Sequence, residues 1–195
     1  RDIKLPRGVV IQGKISEQGS GRPVGKANLQ FNPSKDNDKL LTGWQALQAS
    51  KPDGTYQLVV PVGSGRIMIH TSDSNHVLES AGRPGTRRVY AHKILSYEVK
   101  EGESPKEINA ELKSGRMVRG RVIGPDGQSI DKATIISAMF IGATNPWWRG
   151  DHQVPVRDGR FEIQGVSSDS VTRLTFLDEE HDLGATVELA GKKGD

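Results

Sequence analysis

Gly8-Val9-Val10-Ile11-Gln12-Gly13-Lys14-Ile15 and Gly115-Arg116-Met117-Val118-Arg119-Gly120-Arg121-Val122 are one phrase written twice, 107 residues apart. Both read as an opening strand with a glycine at the same point. The correspondence continues downstream. Gly19-Ser20-Gly21-Arg22-Pro23-Val24 answers to Asp126-Gly127-Gln128-Ser129-Ile130 with one residue lost in the turn, and Ala27 then aligns with Ala133. Lys51-Pro52-Asp53-Gly54-Thr55-Tyr56-Gln57-Leu58 matches Val156-Arg157-Asp158-Gly159-Arg160-Phe161-Glu162-Ile163, so each half sets an Asp-Gly turn before an aromatic-x-aliphatic strand. Asp-Gly supplies the positive φ that a tight hairpin needs. His76-Val77-Leu78 and His181-Asp182-Leu183 keep the offset of 105. Two tandem copies of one domain account for this self-similarity.

The copies are expected at 1–113 and 114–195, with the boundary near Lys113 to Gly115, after a strand Glu107 to Leu112 closes the first. Carrying that last strand forward by 105 residues places it beyond residue 195, so copy two closes with Ala185 to Leu189 or lacks a final strand. Gly191-Lys192-Lys193-Gly194-Asp195 reads as linker. Arg1 in place of an initiating Met marks the chain, on this reading, as a fragment or processed product.

Along the chain, apolar residues recur mostly at period two in short runs broken by Gly, Pro, Asp and Asn, and no long amphipathic helix stands out. Expected strands are Val9 to Ser16, Ala27 to Phe31, Trp44 to Ala49, Thr55 to Val60, Arg66 to Thr71, Ile94 to Val99 and Ile108 to Leu112. Turn signals every 8 to 12 residues or so imply facing sheets that bury Val10, Ile15, Leu29, Tyr56, Leu58 and Ile67. The fold class expected is therefore all-β, two tandem Greek-key β-sandwich domains with little or no helix. With 34% hydrophobic residues and 23 glycines among 195, the chain can build a modest core in each copy. No apolar run is long enough for a transmembrane helix, so this fragment is not expected to insert directly into a membrane. The absence of cysteine excludes disulfides, thiolate metal sites and a thiol nucleophile.

Net charge is +3, but residues 1–100 hold 15 Lys and Arg against 8 Asp and Glu, whereas residues 101–195 hold 12 against 16. The densest basic stretch, Arg83, Arg87, Arg88 and Lys93, sits in a Gly/Pro loop without stacking aromatics, which speaks against nucleic acid as a partner.

Val10-Ile11-Gln12-Gly13-Lys14-Ile15, the Gly-rich turn, Arg22-Pro23-Val24-Gly25-Lys26-Ala27-Asn28-Leu29, Pro52-Asp53-Gly54-Thr55-Tyr56-Gln57-Leu58 and Val60-Pro61-Val62-Gly63 together resemble the carboxypeptidase regulatory-like domain family. That resemblance implies small prealbumin-like (transthyretin-like) Greek-key sandwiches of about seven strands. It also implies noncatalytic modules of larger bacterial proteins that are periplasmic, cell-surface or secreted. Copy two departs from the pattern, with Ile130-Asp131-Lys132-Ala133 where Pro-Val-x-Gly-Ala is usual.

Reaction machinery is scarce. His70, His76, His92, His152 and His181 show no zinc-ligand spacing. His76 and His181 read as turn residues in equivalent loops. There is no Gly-x-Ser-x-Gly elbow, and Ser64 in Gly63-Ser64-Gly65 reads as a strand-connecting turn. The C-terminal Tyr-Arg-Gly-Ser signature of hydroxyisourate hydrolases, which are enzymes on the transthyretin scaffold, is missing. Asp36-Asn37-Asp38 and Asp178-Glu179-Glu180-His181-Asp182 cluster oxygen ligands but lack the spaced loop of a calcium site. Lys14 and Asn109, on first and last strands, have the residue types of a Lys-Asn isopeptide, which also needs a buried carboxylate between them.

Trp147 and Trp148, in Asn145-Pro146-Trp147-Trp148-Arg149-Gly150, are the most informative aromatics. Adjacent strand residues point to opposite faces, so one indole faces solvent unless a neighbouring domain covers it. The pair reads either as core plus domain packing, or as a platform for a sugar ring or a protein partner. Arg149, Asp151 and His152 would be the hydrogen-bonding neighbours, and Trp44 is equally open. The function expected is a noncatalytic spacer or interaction module, not an enzyme, without cofactor or metal, and partnered by neighbouring domains of its own polypeptide. A carbohydrate-binding module is the alternative.

Overall fold

The computed structural model describes residues 7–34, 45–71, 75–81, 89–137 and 154–189. In chain order the strands are β1 (Val9–Glu17), β2 (Asn28–Pro33), β3 (Gln45–Ala49), β4 (Thr55–Val60), β5 (Gly63–His70), β6 (Glu79–Ala81), β7 (Val89–Ala91), β8 (Lys93–Val99), β9 (Lys106–Glu107) and β10 (Ala110–Leu112). They continue with β11 (Arg116–Arg121), β12 (Thr134–Ser137), β13 (Val154–Pro155), β14 (Arg160–Val166), β15 (Thr172–Asp178) and β16 (Leu183–Leu189). No helix occurs among the described residues.

Contacts divide the chain into two units, residues 1–72 with 79–113, and residues 73–78 with 114–195. The second unit is thus discontinuous in sequence. Gly115 N donates to the Asn75 carbonyl at 2.7 Å, and His76 bridges Ser114.

The first unit is a two-sheet sandwich. One sheet runs β10-β1-β4, with β9 also on β1, and the other runs β3-β2-β5-β8. The second unit repeats the plan with β11-β14 against β13-β12-β15-β16. Successive strands switch sheets at the same points, so one Greek-key layout serves both. Each unit has its own core. In the first, Ile11, Ile15, Leu29, Leu58, Ile67 and Leu112 are buried; in the second, Ile135, Ile163, Val166 and Leu174 are.

The register shows the duplication residue by residue. Gly13 lies opposite Tyr56 on β4, and Gly120 lies opposite Phe161 on β14. In both, the aromatic ring lies over the glycine of the neighbouring strand, a cross-strand pairing that fills the missing side chain. A Cβ on Gly120 would come within 2.5 Å of the Phe161 ring, and one on Gly13 within 2.0 Å of the Ile108 carbonyl. Ile15 N donates to Gly54 O, as Val122 N does to Gly159 O. Val24 N donates to Ile15 O, as Ile130 N does to Val122 O.

The one chemical difference in this pair is the Tyr56 hydroxyl, which donates to Ile108 O at 2.6 Å. Tyr56→Phe should cost about 1 kcal/mol, the net value of one hydrogen bond. Urea unfolding of the first unit checks this, and an unchanged midpoint would remove the bond from the account.

Val10 is only half-buried, because β1 points Val9, Ile11 and Ile15 inward, and residues 10 and 15 cannot share one face of a regular strand. Ser64 is not in a turn; Gly63 to Gly65 belong to β5 and pair with β8, with Tyr97 packed where a Gly65 side chain would stand. Ser50 N and Val156 N donate to Ala27 O and Ala133 O, so Val156 corresponds to Ser50 and not to Lys51.

The deletion falls in the turn itself. Lys51 and Thr55 enclose three residues with positive φ only at Gly54, whereas Arg157 and Arg160 enclose Asp158 and Gly159, both with positive φ. The second is the two-residue type I′ geometry, and the first a three-residue loop ending in left-handed glycine. His76 and His181 are not equivalent either. The β5-to-β8 connection is long and carries the β6–β7 hairpin, which the periodicity did not show, while β15 and β16 are joined by the short turn 179–182.

Candidate functional site

Trp44, Trp147, Trp148, Arg149, Asp151 and His152 all lie outside the described residues, as do Asp36 to Asp38. The remaining candidates can be placed.

The histidines of the first unit are part of its packing. His70 ends β5 at 5% exposure, and burial pushes its imidazole down to about 4. Its ring meets His92 edge-on at 6.5 Å between centroids. His92 Nδ1 accepts the Thr71 backbone N–H at 2.9 Å, which fixes the unprotonated face of that ring. His76 is buried in the segment that joins the second unit.

The acidic turn of the second unit is internally satisfied. Buried Asp178 accepts from Glu180 N at 3.1 Å through Oδ1, and its Oδ2 pairs with His181 Nδ1 at 2.8 Å. This bond holds the aspartate below the usual carboxylate range and lifts the histidine above its ordinary value. His181 therefore has the turn role expected of it, and the carboxylate is committed to the turn. Among the described residues, no group of three or more His, Asp and Glu side chains could hold a metal ion.

Lys14 and Asn109 do meet, but differently from an isopeptide pair. Asn109 Oδ1 accepts the backbone N–H of Lys14 at 2.8 Å, and its Nδ2 donates to Glu107 Oε1 at 3.0 Å. All three side chains are exposed, so Glu107 is not the buried carboxylate that such a bond requires. The amide side chain acts as a backbone surrogate that staples the closing strand to the opening one.

The feature that sequence reading missed lies on β11. Arg119 and Arg121 share its outer face, and Arg157 and Arg160 flank the Asp158-Gly159 turn beside them; with Phe161 and Glu162 they form one shallow basic surface. Glu162 bonds Arg119 at 2.9 Å, which keeps its carboxyl low. The signal was present as Arg-x-Arg on one strand face and Arg-x-x-Arg across the hairpin. The negative sum of residues 101–195 concealed it.

The same strand has an open flank. Among the described residues, β11 has β14 on one side and no strand on the other, whereas its counterpart β1 lies between β4 and β9–β10. Beside the end of β11, between the two sheets, runs an apolar groove of about 310 Å³ walled by Val122, Ile123, Ile130, Phe176 and Leu183.

No family model matches the chain, and no curated protein matches it in sequence. Solved structures similar to it include the Bacillus anthracis TIE protein (9% identity, TM-score 0.40, 95% of this chain and 32% of that one). A streptococcal ancillary pilin is also similar (9% identity, TM-score 0.46, 96% of this chain and 60% of that one). So is the shaft pilin SpaA from Lactobacillus rhamnosus GG (11% identity, TM-score 0.34, 96% of this chain and 94% of that one). The chain spans about a third of the first and three fifths of the second.

Proposed function

We propose that the chain is a noncatalytic, tension-bearing spacer within a larger surface or envelope protein. The observation that carries this reading is the pairing of the first unit's first and last strands. β1 and β10 run parallel with Ile15 opposite Ala110, Ser16 opposite Glu111 and Glu17 opposite Leu112. Force applied at the two ends of that unit pulls parallel neighbours past each other, so their cross-links load together in shear and do not open one by one. Those cross-links are Ile108 N to Gln12 O at 2.9 Å, Lys14 N to Asn109 Oδ1 at 2.8 Å and Gln18 N to Leu112 O at 2.8 Å. Tyr56 adds its hydroxyl from the far side of β1.

The disposition of polar groups supports the same reading. His92, Asn109 and Ser50 each hydrogen-bond a backbone group, and Asp178 holds its own turn. The placement at a surface or envelope draws on the resemblance of the Arg22-to-Leu29 and Pro52-to-Leu58 stretches to carboxypeptidase regulatory-like domains. Single-molecule pulling from the two termini tests the proposal. Two unfolding events are expected, with the first unit yielding at the higher force. Asn109→Ala should lower that force while leaving the second event unchanged. Equal, low forces for both units would remove tension bearing from the reading.

A further inference from the structure

Among the described residues, the second unit leaves open the place that β10 fills in the first. In the first unit β10 lies against Ile15 to Glu17, and the counterparts of those residues, Val122 to Gly124, form one wall of the apolar groove. The opposite wall, Leu183 to Ala185, opens β16, as Lys93 to Leu95 open β8, a strand that β10 contacts. The groove therefore occupies the place of the closing strand.

Burial agrees. Ile11 and Ile15 are fully buried, while their counterparts Val118 and Val122 are only half-buried and Ile123 is 54% exposed. The outward backbone groups agree as well. Lys14 N donates to the closing segment, and Arg121, its counterpart, presents its N–H to the open flank of the same sheet.

Charge says what kind of strand fits. The closing segment of the first unit, Lys106-Glu107-Ile108-Asn109-Ala110-Glu111-Leu112, alternates apolar residues facing the core with carboxylates and an amide facing out, and Glu107 lies opposite Gln12. In the second unit the counterpart of Gln12 is Arg119, and Arg121, Arg157 and Arg160 lie on the same outer surface. Two copies of β11 set edge to edge would bring like charges together across the ladder, which is destabilising. An acidic strand would neutralise them.

We propose that the second unit takes an acidic-apolar strand, running parallel to β11, whose apolar side chains fill the groove and whose carboxylates meet Arg119 and Arg121. This is strand addition at a sheet edge, with main-chain bonds for affinity and alternate side chains for selection. It goes beyond the spacer reading and is read from different observables, so loss of force resistance would leave it standing.

The test appends residues 106–113 of this chain, KEINAELK, directly after Asp195. Six residues separate Leu189 from that junction, the same number as between Val99 and Lys106. Amide exchange is then followed by NMR in the unmodified and extended chains. The expected result is at least a tenfold slowing at Arg119 and Arg121 and a higher melting temperature for the second unit. Replacing both glutamates of the appended copy with lysine should weaken these effects, and replacing its alanine and leucine with aspartate should abolish them. None of these changes touches the folded chain itself. Unchanged exchange at both arginines, or equal effects of the native and aspartate-bearing strands, would overturn the proposal. So would protection that rises with concentration in the unmodified chain, since that places a second copy on the edge.

Discussion

Leu112→Ala is expected to destabilise the first unit by about 3 to 5 kcal/mol, the range for truncating a fully enclosed leucine whose site cannot collapse. Leu112 is at 0% exposure, in the core with Ile15, Leu29 and Ala110, and it ends the strand that closes the sandwich. Its own carbonyl accepts Gln18 N at 2.8 Å, so the cavity opens beside one of the bonds joining β10 to the end of β1. At about 4 °C per kcal/mol for a unit of this size, the first melting transition should fall by about 12 to 20 °C. The second unit has a separate core and should keep its transition. Glu111→Ala, one residue away on the exposed face, should stay within about 0.5 kcal/mol. Calorimetry of the three chains decides the matter. A loss below 1 kcal/mol for Leu112→Ala would mean that β10 is peripheral to the fold.

Acid should act selectively on the first unit. His70 is neutral in the folded state down to about pH 4, while the unfolded chain takes up its proton near the ordinary imidazole value of 6.5. Because the folded pKa lies below the unfolded one, this contribution to stability is complete above pH 6.5. It declines as pH falls through that value and levels off near 4. A gap of that size corresponds to about 3 kcal/mol across the window. His181 has the opposite sign: Asp178 raises its pKa, so its small contribution is present below the unfolded value and lost as pH rises through the folded one. The first unit should therefore lose stability between pH 6.5 and 4 while the second responds weakly. His70→Gln should flatten the dependence in urea titrations. An unaltered slope in that variant would assign the acid sensitivity elsewhere.

Much of the architecture was legible because duplication makes a sequence its own control. The glycine of the opening strand, the Asp-Gly turn and the aromatic two residues beyond it recur in register, and the strand pairs Gly13–Tyr56 and Gly120–Phe161 follow from that recurrence. What escaped was whatever depends on the third dimension. Gly63-Ser64-Gly65 has the composition of a turn, yet it is strand: it pairs with Tyr97 to Val99 of β8, and the Tyr97 ring takes up the space beside Gly65. His76 and His181 share an offset, but His76 is buried in the segment that bridges Ser114, while His181 sits at the short turn between β15 and β16. The arginine surface escaped because net charge is summed along the chain, whereas charges meet across β11 and β14. The half-buried apolar residues of β11 were invisible for the same reason, since exposure depends on whether a strand lies alongside.

One strand plan is used twice, with the outer edge of the opening strand covered in the first unit and, among the described residues, bare in the second. Residue-resolved amide exchange of Lys14, Ile15, Arg121 and Val122 tests it most directly. Ile15 and Val122 donate inward to Gly54 and Gly159, and Lys14 donates outward to Asn109. Slow exchange is expected at those three and fast exchange at Arg121. Protection at Arg121 equal to that at Lys14 would contradict it.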